Sequence, residues 1–305
     1  MINEDSRILI TGCGGMLGDA VYSYFSGRCF VKASDIDVNE KWLTYLDVRD
    51  FRAFEKTILE YKPTVIFHLA ALTDLEYCEA NSSDAYDTNA VGTENAALLS
   101  KKYDLLMVYI STAGIFDGNR NVYTDFDIPN PINIYGSSKY AGEKFVASYL
   151  DRYFVFRPGW MMGGGPAKDK KFVGKIIKRI NSGAKKLYAV NDKLGTPTYT
   201  YDLVHNMSEV INSGLYGIYN VACKGDGSRY DVAKEILGNL KLGNSIKLFE
   251  VTSETFEEEY FAPRPYSEKL SGLKLNVRGL NRMRDWRISL KEYLNKFEWL
   301  EREIE

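Results

Sequence analysis

Arg7-Ile8-Leu9-Ile10-Thr11-Gly12-Cys13-Gly14-Gly15-Met16-Leu17-Gly18 is an apolar run that ends in glycines and opens a helical pattern. The run reads as a β-strand and Met16–Ser26 as a helix, so the glycines occupy a strand-to-helix turn. Gly12 permits the tight turn, Gly15 lets backbone approach a pyrophosphate, and Gly18 lets helix and strand pack closely. With Gly14, Met16 and Leu17 these residues form a loop in which a diphosphate would rest on free N–H groups at the positive end of the helix. An acidic residue, Asp35, closes the second strand about 20 residues on, the spacing at which a carboxylate takes the ribose 2′-OH. Such a carboxylate repels a 2′-phosphate, which predicts NAD as cofactor. Lys32 and Arg28 lie nearby in sequence and soften the discrimination, keeping NADP as the alternative.

The same alternation continues outward. Phe30–Ser34 and Trp42–Leu46 are short strand-like runs, Phe51–Tyr61 carries apolar residues at helical spacing, and Pro63 precedes a strand over Thr64–Leu69. A long helical stretch follows over Asp84–Tyr103, then a strand over Leu105–Ile110, a helix over Ser137–Leu150 and a strand over Tyr153–Phe156. Unbroken apolar runs suit strands buried on both faces of a parallel sheet. Strands alternating with helices predict an α/β fold, a doubly wound parallel sheet of the Rossmann type. The regularity holds to about residue 160. Residues 1–160, with a returning segment at about 191–222, are therefore expected to form the NAD(P)-binding domain. Residues 161–190 and 223–305 are expected to form a smaller C-terminal α/β substrate domain. Helices are expected there over Phe172–Asn181, Tyr201–Asn212, Arg229–Leu240 and Leu290–Arg302, and the Gly- and Lys-rich loop Gly163–Asp169 reads as the mobile connection.

Bulk properties remove several classes. A formal net charge of -2 over 305 residues points to neither nucleic acid nor an anionic membrane as the main partner. No stretch approaches the roughly 20 apolar residues that span a bilayer. No secretory leader is visible at the start, and Cys13, Cys29, Cys78 and Cys223 lack metal-like spacing, so they read as free thiols in a reducing, cytoplasmic compartment. His68 and His205 are the only histidines. That leaves no basis for a metal site or a Ser-His-Asp triad, and His68 reads as a packed residue.

Tyr135-Gly136-Ser137-Ser138-Lys139 places a phenol and an amine on one face of a helix. An ammonium close to a phenol lowers its pKa from about 10, so that it can exchange a proton with a carbinol or ketone. The spacing alone is weak; its position beyond the strand end at Ser111-Thr112, on the carboxyl edge of the sheet, gives it weight. There the Thr112 hydroxyl would hold the reacting oxygen.

Together the motifs resemble the extended short-chain dehydrogenase/reductases, and within them the dTDP-4-dehydrorhamnose reductase-like branch. The resemblance rests on Thr11-Gly12-x-x-Gly15-x-x-Gly18, Leu46-Asp47-Val48, His68-Leu69-Ala70-Ala71, Asn89-Ala90-x-Gly92-Thr93, Ser111-Thr112 with Phe116-Asp117-Gly118, and Tyr135-Gly136-x-x-Lys139-x-x-Gly142-Glu143. It continues through Arg157-Pro158-Gly159-Trp160, Gly195-x-Pro197-Thr198-Tyr199 with Asp202-Leu203, and Arg264-Pro265. It implies cofactor contacts from Asp47 and Val48 at the adenine, Ala70 and Ala71 in the cleft, Ser111, and Pro158 at the carboxamide. Asn89 would support the active-site helix. Thr112, Tyr135 and Lys139 would be catalytic, and Trp160 and Arg264 would face the sugar nucleotide. The implied reaction is NAD(P)H-dependent reduction of a nucleotide-linked 4-keto-6-deoxy sugar, with a homodimer as the assembly common in relatives. A 4-epimerase would use the same three residues, and a relative of the branch keeps the fold as a non-catalytic regulatory subunit. One departure stands out. Where the rhamnose reductases carry an Asp and a Tyr after the catalytic Thr, this chain has Ala113 and Gly114. The substrate-binding position Ala113 therefore predicts an altered sugar pocket, and neither residue supplies the proton a 4,6-dehydratase needs.

Finally, Lys168, Lys170, Lys171, Lys175, Lys178, Arg179, Lys185 and Lys186 face only Asp169 in charge. Most read as a solvated helix face, with one or two available to a diphosphate. Tyr199 and Tyr266 read as either base-stacking or packing residues.

Overall fold

The computed structural model describes residues 2–300. Its centre is a sheet of seven parallel strands. Six are β1 (Arg7–Thr11), β2 (Phe30–Asp35), β3 (Leu43–Tyr45), β4 (Val65–His68), β5 (Leu106–Ile110) and β6 (Tyr153–Pro158). The seventh, Gly217–Val221, returns from far along the chain to pair with β6, and the order across the sheet is Gly217–Val221, β6, β5, β4, β1, β2, β3. The chain therefore reverses direction across the sheet between β1 and β4, which pair directly, Ile8 opposite Val65. That switch opens a crevice at the carboxyl ends of the strands, where ligands bind in such sheets.

The unbroken apolar runs have the expected cause. Side chains alternate between faces, and both faces are covered. Ile8, Ile10, Phe67, Val108 and Phe154 pack in one core with helix α1 (Met16–Phe25) and helix Thr200–Ser213. Leu9, Ile66, Met107, Tyr109 and Val155 pack in a second core with helix α2 (Phe51–Tyr61) and the helices that follow β4. Asp50 starts α2 by accepting the Ala53 N–H at 3.0 Å.

The long helical stretch expected over Asp84–Tyr103 is segmented. After α3 (Leu75–Ala80) come α4 (Ser82–Tyr86), a π-helical turn Asp87–Val91 and α5 (Gly92–Lys102). The π turn is a recurring device at functional sites, and here it carries Asn89. Helix α6 spans Ile134–Tyr149, three residues earlier than expected, because Asn133 caps it by accepting the Gly136 N–H at 2.7 Å.

Apart from Gly217–Val221, the pairing beyond residue 160 is in small sheets. Trp160–Met162 pairs with Pro197–Tyr199, Lys186–Val190 with Lys247–Val251, and Leu194–Gly195 lies between Gly227–Ser228 and Ser267–Glu268. The final helix is Trp286–Lys296, started by Asp285, which accepts the Arg287 N–H at 2.9 Å. It begins four residues before the expected Leu290, and Arg302 lies outside the described residues. The loop read as mobile, Gly163–Asp169, is tied down. The Tyr293 hydroxyl lies 2.8 Å from Gly163 O and 2.9 Å from the buried Asp169 carboxylate, sharing its one proton between them, and accepts the Gly165 N–H at 3.2 Å. Within it Gly165–Lys168 forms a helical turn whose Lys168 pairs with Asp19 and Glu40, each at 3.0 Å. Among the described residues no helix is long and apolar enough to cross a membrane.

Candidate active site

Backbone geometry builds the floor at the switch point. Gly12 has φ +70, and a Cβ there would lie 2.4 Å from Ala70 backbone, so only glycine lets β1 turn against the end of β4. At Gly15 a Cβ would meet nothing within 4 Å, so the backbone at the start of α1 faces open space. The Gly14 N–H points to the end of β2 and donates to Asp35 at 2.8 Å; the other carboxylate oxygen takes the Asp37 N–H at 3.0 Å.

From this floor a cleft of about 1620 Å³ runs along the sheet edge. Gly12, Gly14, Gly15, Met16, Leu17, Gly18 and Asp35 line its first part, followed by Asp47, Val48, Ala70 and Ala71. Ser111, Thr112, Tyr135, Lys139 and Pro158 line its middle, and Trp160 and Arg264 its far part. The buried Ser111 Oγ has no hydrogen-bond partner within the protein, as suits a hydroxyl that meets a ligand. A dinucleotide fits this set: open backbone at a helix start, an orphan hydroxyl and a cleft of sufficient size.

Two expected site residues stand outside the cleft lining. Asn89 is fully buried; its side chain accepts the Leu72 N–H at 2.8 Å, and donates to Leu72 O and Ser138 Oγ, each at 3.0 Å. It clasps the loop after β4 to α6 and reaches the cleft only through them. Ala113 is 1% exposed and packs with Ile115, Phe116 and Tyr123, so its methyl belongs to the core. The neighbour that opens to the cleft is Gly114. Lys32 and Arg28 do not line the cleft either. The Arg28 guanidinium stacks on Tyr24 at 4.2 Å, and the cation at the adenine end is Arg49, paired with Asp47 at 2.7 Å.

Tyr135 and Lys139 sit on the first turns of α6, beside the end of β5. A Cβ on Gly136 would lie 2.2 Å from Gly114 O, so this glycine lets the helix start pack against the Thr112–Gly114 turn. That contact brings the phenol to Thr112. Lys139 is 2% exposed, with its Nζ 4.3 Å from the Tyr109 ring centre. The electrostatics differ from the expectation of a phenol acidified by its neighbouring ammonium. Burial pushes Tyr135 up to about 12, against a hydrogen bond with Thr112, and the Glu268 and Cys78 charges add to the rise. Burial pulls Lys139 down to about 7, against the attraction of Glu143. In this environment desolvation outweighs pairing for both groups. His68 is a packed residue. Its ring nitrogens lie 2.8 Å from Thr11 Oγ1 and 3.2 Å from Thr93 Oγ1, and burial depresses its pKa to about 3.

Of the basic stretch, Lys168, Lys170, Lys171, Lys175, Lys178 and Arg179 reach the cleft. Lys171 is largely committed, donating to Thr73 O at 2.9 Å. Tyr199 is wholly buried beside Tyr293 and is a packing residue, whereas Tyr266 is exposed. Among the described residues no group of three or more His, Cys, Asp or Glu could hold a metal ion.

Residues 6–299 match the family described as the RmlD substrate binding domain. The chain belongs to that family. It is similar to the spore coat polysaccharide biosynthesis protein SpsK of Bacillus subtilis, at 30% identity over 95% of this chain and 98% of that one. A dTDP-4-dehydrorhamnose reductase structure from Clostridium acetobutylicum superposes with a TM-score of 0.87, at 33% identity, covering 95% of this chain and 99% of the other. The Bacillus anthracis dTDP-4-dehydrorhamnose reductase, solved in complex with NADP, also gives 0.87, at 30% identity over 96% and 100%.

Three cleft-lining residues that the sequence reading did not single out are Asn133, Arg229 and Glu268. Asn133 caps α6 and lines the cleft, and its Asn-x-x-Gly spacing to Gly136 was the available signal. Arg229 enters from a distant segment with no local motif, and Glu268 follows the Arg264-Pro265 motif without belonging to it.

Proposed function

We propose that this chain reduces a nucleotide-linked 4-keto-6-deoxy sugar with NAD(P)H, Thr112, Tyr135 and Lys139 forming its catalytic set. The observation that carries the reading is the convergence of Thr112, Tyr135 and Lys139 with the glycine floor in one cleft. The relatives named dTDP-4-dehydrorhamnose reductase support the substrate class. A reduced nicotinamide, when bound, supplies the hydride.

The protein's part is positioning and proton supply. N–H groups at the start of α1 receive the diphosphate. Thr112 donates to the keto oxygen and fixes it beside the phenol. Tyr135 gives its proton to that oxygen as negative charge develops there. A pKa near 12 keeps the phenol protonated at neutral pH, the state a donor needs. Lys139, close to neutrality in its amine pKa, is placed to relay a proton and to hold the ribose. Asp35 faces the adenosine end with its carboxylate already tied to two backbone amides, and we infer NAD as the better cofactor with NADP accepted. Free thiols at all four cysteines fit a cytoplasmic enzyme, and we infer a homodimer as its assembly.

The deciding experiment mixes the purified protein with dTDP-4-keto-6-deoxy sugars and each reduced cofactor. Stoichiometric loss of reduced-nicotinamide absorbance is expected. Interconversion of the 4-hydroxy epimers of a nucleotide sugar in the presence of NAD, with no net change in cofactor, would instead establish the epimerase.

A further inference from the structure

The sugar end of the cleft contains a carboxylate with one oxygen fixed and one free to meet a ligand. Glu268 lies on the short strand Ser267–Glu268, which pairs with Leu194–Gly195, Glu268 opposite Gly195. A Cβ on Gly195 would lie 2.2 Å from the Trp160 indole, so the ring rests directly on that backbone. The Arg229 guanidinium stacks on the same ring, 3.6 Å from its centre. Held in this way, Trp160 Nε1 donates to Glu268 Oε2 at 2.7 Å.

The other oxygen points toward the reacting groups. A Cβ placed on Gly114 would be 3.6 Å from Glu268 Oε1, 3.5 Å from Thr112 Oγ1 and 3.6 Å from the Tyr135 ring. These three groups therefore surround one small volume, which is open because position 114 is glycine. Burial raises the Glu268 pKa, while the Trp160 hydrogen bond and the charges of Arg229, Arg264 and Lys193 favour its ionised form. Arg264 is itself paired with Glu76 at 2.7 Å, and Lys193 donates to Arg264 O at 3.1 Å.

An ionised carboxylate only accepts hydrogen bonds. The keto oxygen also only accepts, and Thr112 and Tyr135 are its donors. Beside a 4-keto group the nearest donor on the sugar is the hydroxyl of the adjacent ring carbon. We propose that Glu268 Oε1 accepts that hydroxyl, so that the cleft selects nucleotide-linked sugars with a free hydroxyl next to the carbonyl. Thr112 and Tyr135 then read the ketone while Glu268 reads its neighbour, and the two grips together fix the sugar ring. This rests on the reduction described above and adds the substrate's distinguishing group. It also replaces, from a different strand, the polar contact that Ala113 and Gly114 cannot make.

The test uses two dTDP-4-keto-6-deoxy sugars that differ only in having or lacking the hydroxyl at the carbon next to the ketone. For each, kcat/KM is measured, and calorimetry gives the affinity of the corresponding dTDP-sugars. The intact protein should favour the hydroxylated sugar by about 10²-fold or more, since a buried acceptor left unpaired is costly. Glu268→Gln should keep part of that ratio and Glu268→Ala should bring it to within about threefold. Cofactor affinity should stay unchanged in both variants. If Glu268→Ala does not fold, the near-isosteric Gln variant decides by the same ratio. Equal losses on both sugars, leaving the ratio intact, would overturn the proposal and make Glu268 a strut for Trp160. Turnover of both sugars by the intact protein without preference would also overturn it, with reduction still standing. Selective binding of the hydroxylated sugar with no turnover of either would sustain it and remove the reductase reading instead.

Discussion

The nucleotide end and the sugar end of the cleft are built by opposite means. At the nucleotide end the contacts come from backbone in one continuous segment, Gly12 to Gly18, with Asp35 on the next strand. At the sugar end Trp160, Arg229 and the Arg264–Glu268 stretch arrive from three separate segments; a stacked guanidinium and an indole N–H join Arg229, Trp160 and Glu268, and Arg264 is ion-paired with Glu76. Backbone donors tolerate most side-chain changes but no added Cβ where the chain approaches closely. A network of side chains can be retuned one residue at a time. The first end is therefore suited to a constant ligand, and the second to a substrate that differs between relatives.

The contrast can be broken most decisively at the seam between the ends. Tyr135→Phe should lower kcat by about 10²- to 10⁴-fold while cofactor affinity, measured by fluorescence titration, stays within about twofold. Retained turnover would end the assignment of the phenol. Next in size is Gly12→Ala. With φ +70 and Ala70 backbone 2.4 Å from the new methyl, it should cost more than about 1 kcal/mol in denaturant unfolding and abolish dinucleotide binding. A stable, cofactor-competent Gly12→Ala protein would mean that the floor is more plastic than its packing implies.

The legibility of the sequence divides along the same seam. The strand–glycine–helix turn, the alternation of elements and the Tyr135–Lys139 spacing are local patterns, and the seven-stranded sheet is the architecture they predict. Helix starts were less legible, because Asn133 and Asp285 act through single side-chain caps. The π turn was hidden in an ordinary helical pattern. Ala113 read as a pocket residue because it follows Thr112, but the 3-10 turn Ala113–Ile115 rotates its methyl into the core and leaves Gly114 facing the cleft. Glu268 was overlooked although Arg264-Pro265, read as facing the sugar nucleotide, lies just before it, because its contact with Trp160 spans 108 residues of sequence. Spacing also does not report desolvation, which acts on both Tyr135 and Lys139.

Smaller perturbations refine the picture. Trp160→Phe keeps the ring on Gly195 but loses the N–H to Glu268. It should lower kcat/KM about tenfold with little change in thermal stability, consistent with one hydrogen bond to a charged group. Asp35→Asn keeps an acceptor for the Gly14 N–H and removes the charge. It should move the NADP-to-NAD preference in initial rates toward NADP by up to about tenfold. An unchanged preference would relocate discrimination to Arg49. The smallest signal concerns Lys139. With a folded pKa near 7, the folded chain releases this proton while the unfolded chain, at the usual amine value, still holds it. This group's contribution to stability therefore rises with pH above 7. Between pH 7 and 9 the thermal midpoint of the natural protein should gain on that of Lys139→Met. Parallel curves would show that the amine is charged when folded.

Tyr293 links these ends to the far end of the chain. One hydroxyl on the last helix grips both Gly163 O and Asp169. The loop whose Ala167 and Lys168 line the cleft is thus latched by the helix Trp286–Lys296, which does not line it. Wear at that latch would register first as faster cofactor escape, with the sheet and its two cores still intact.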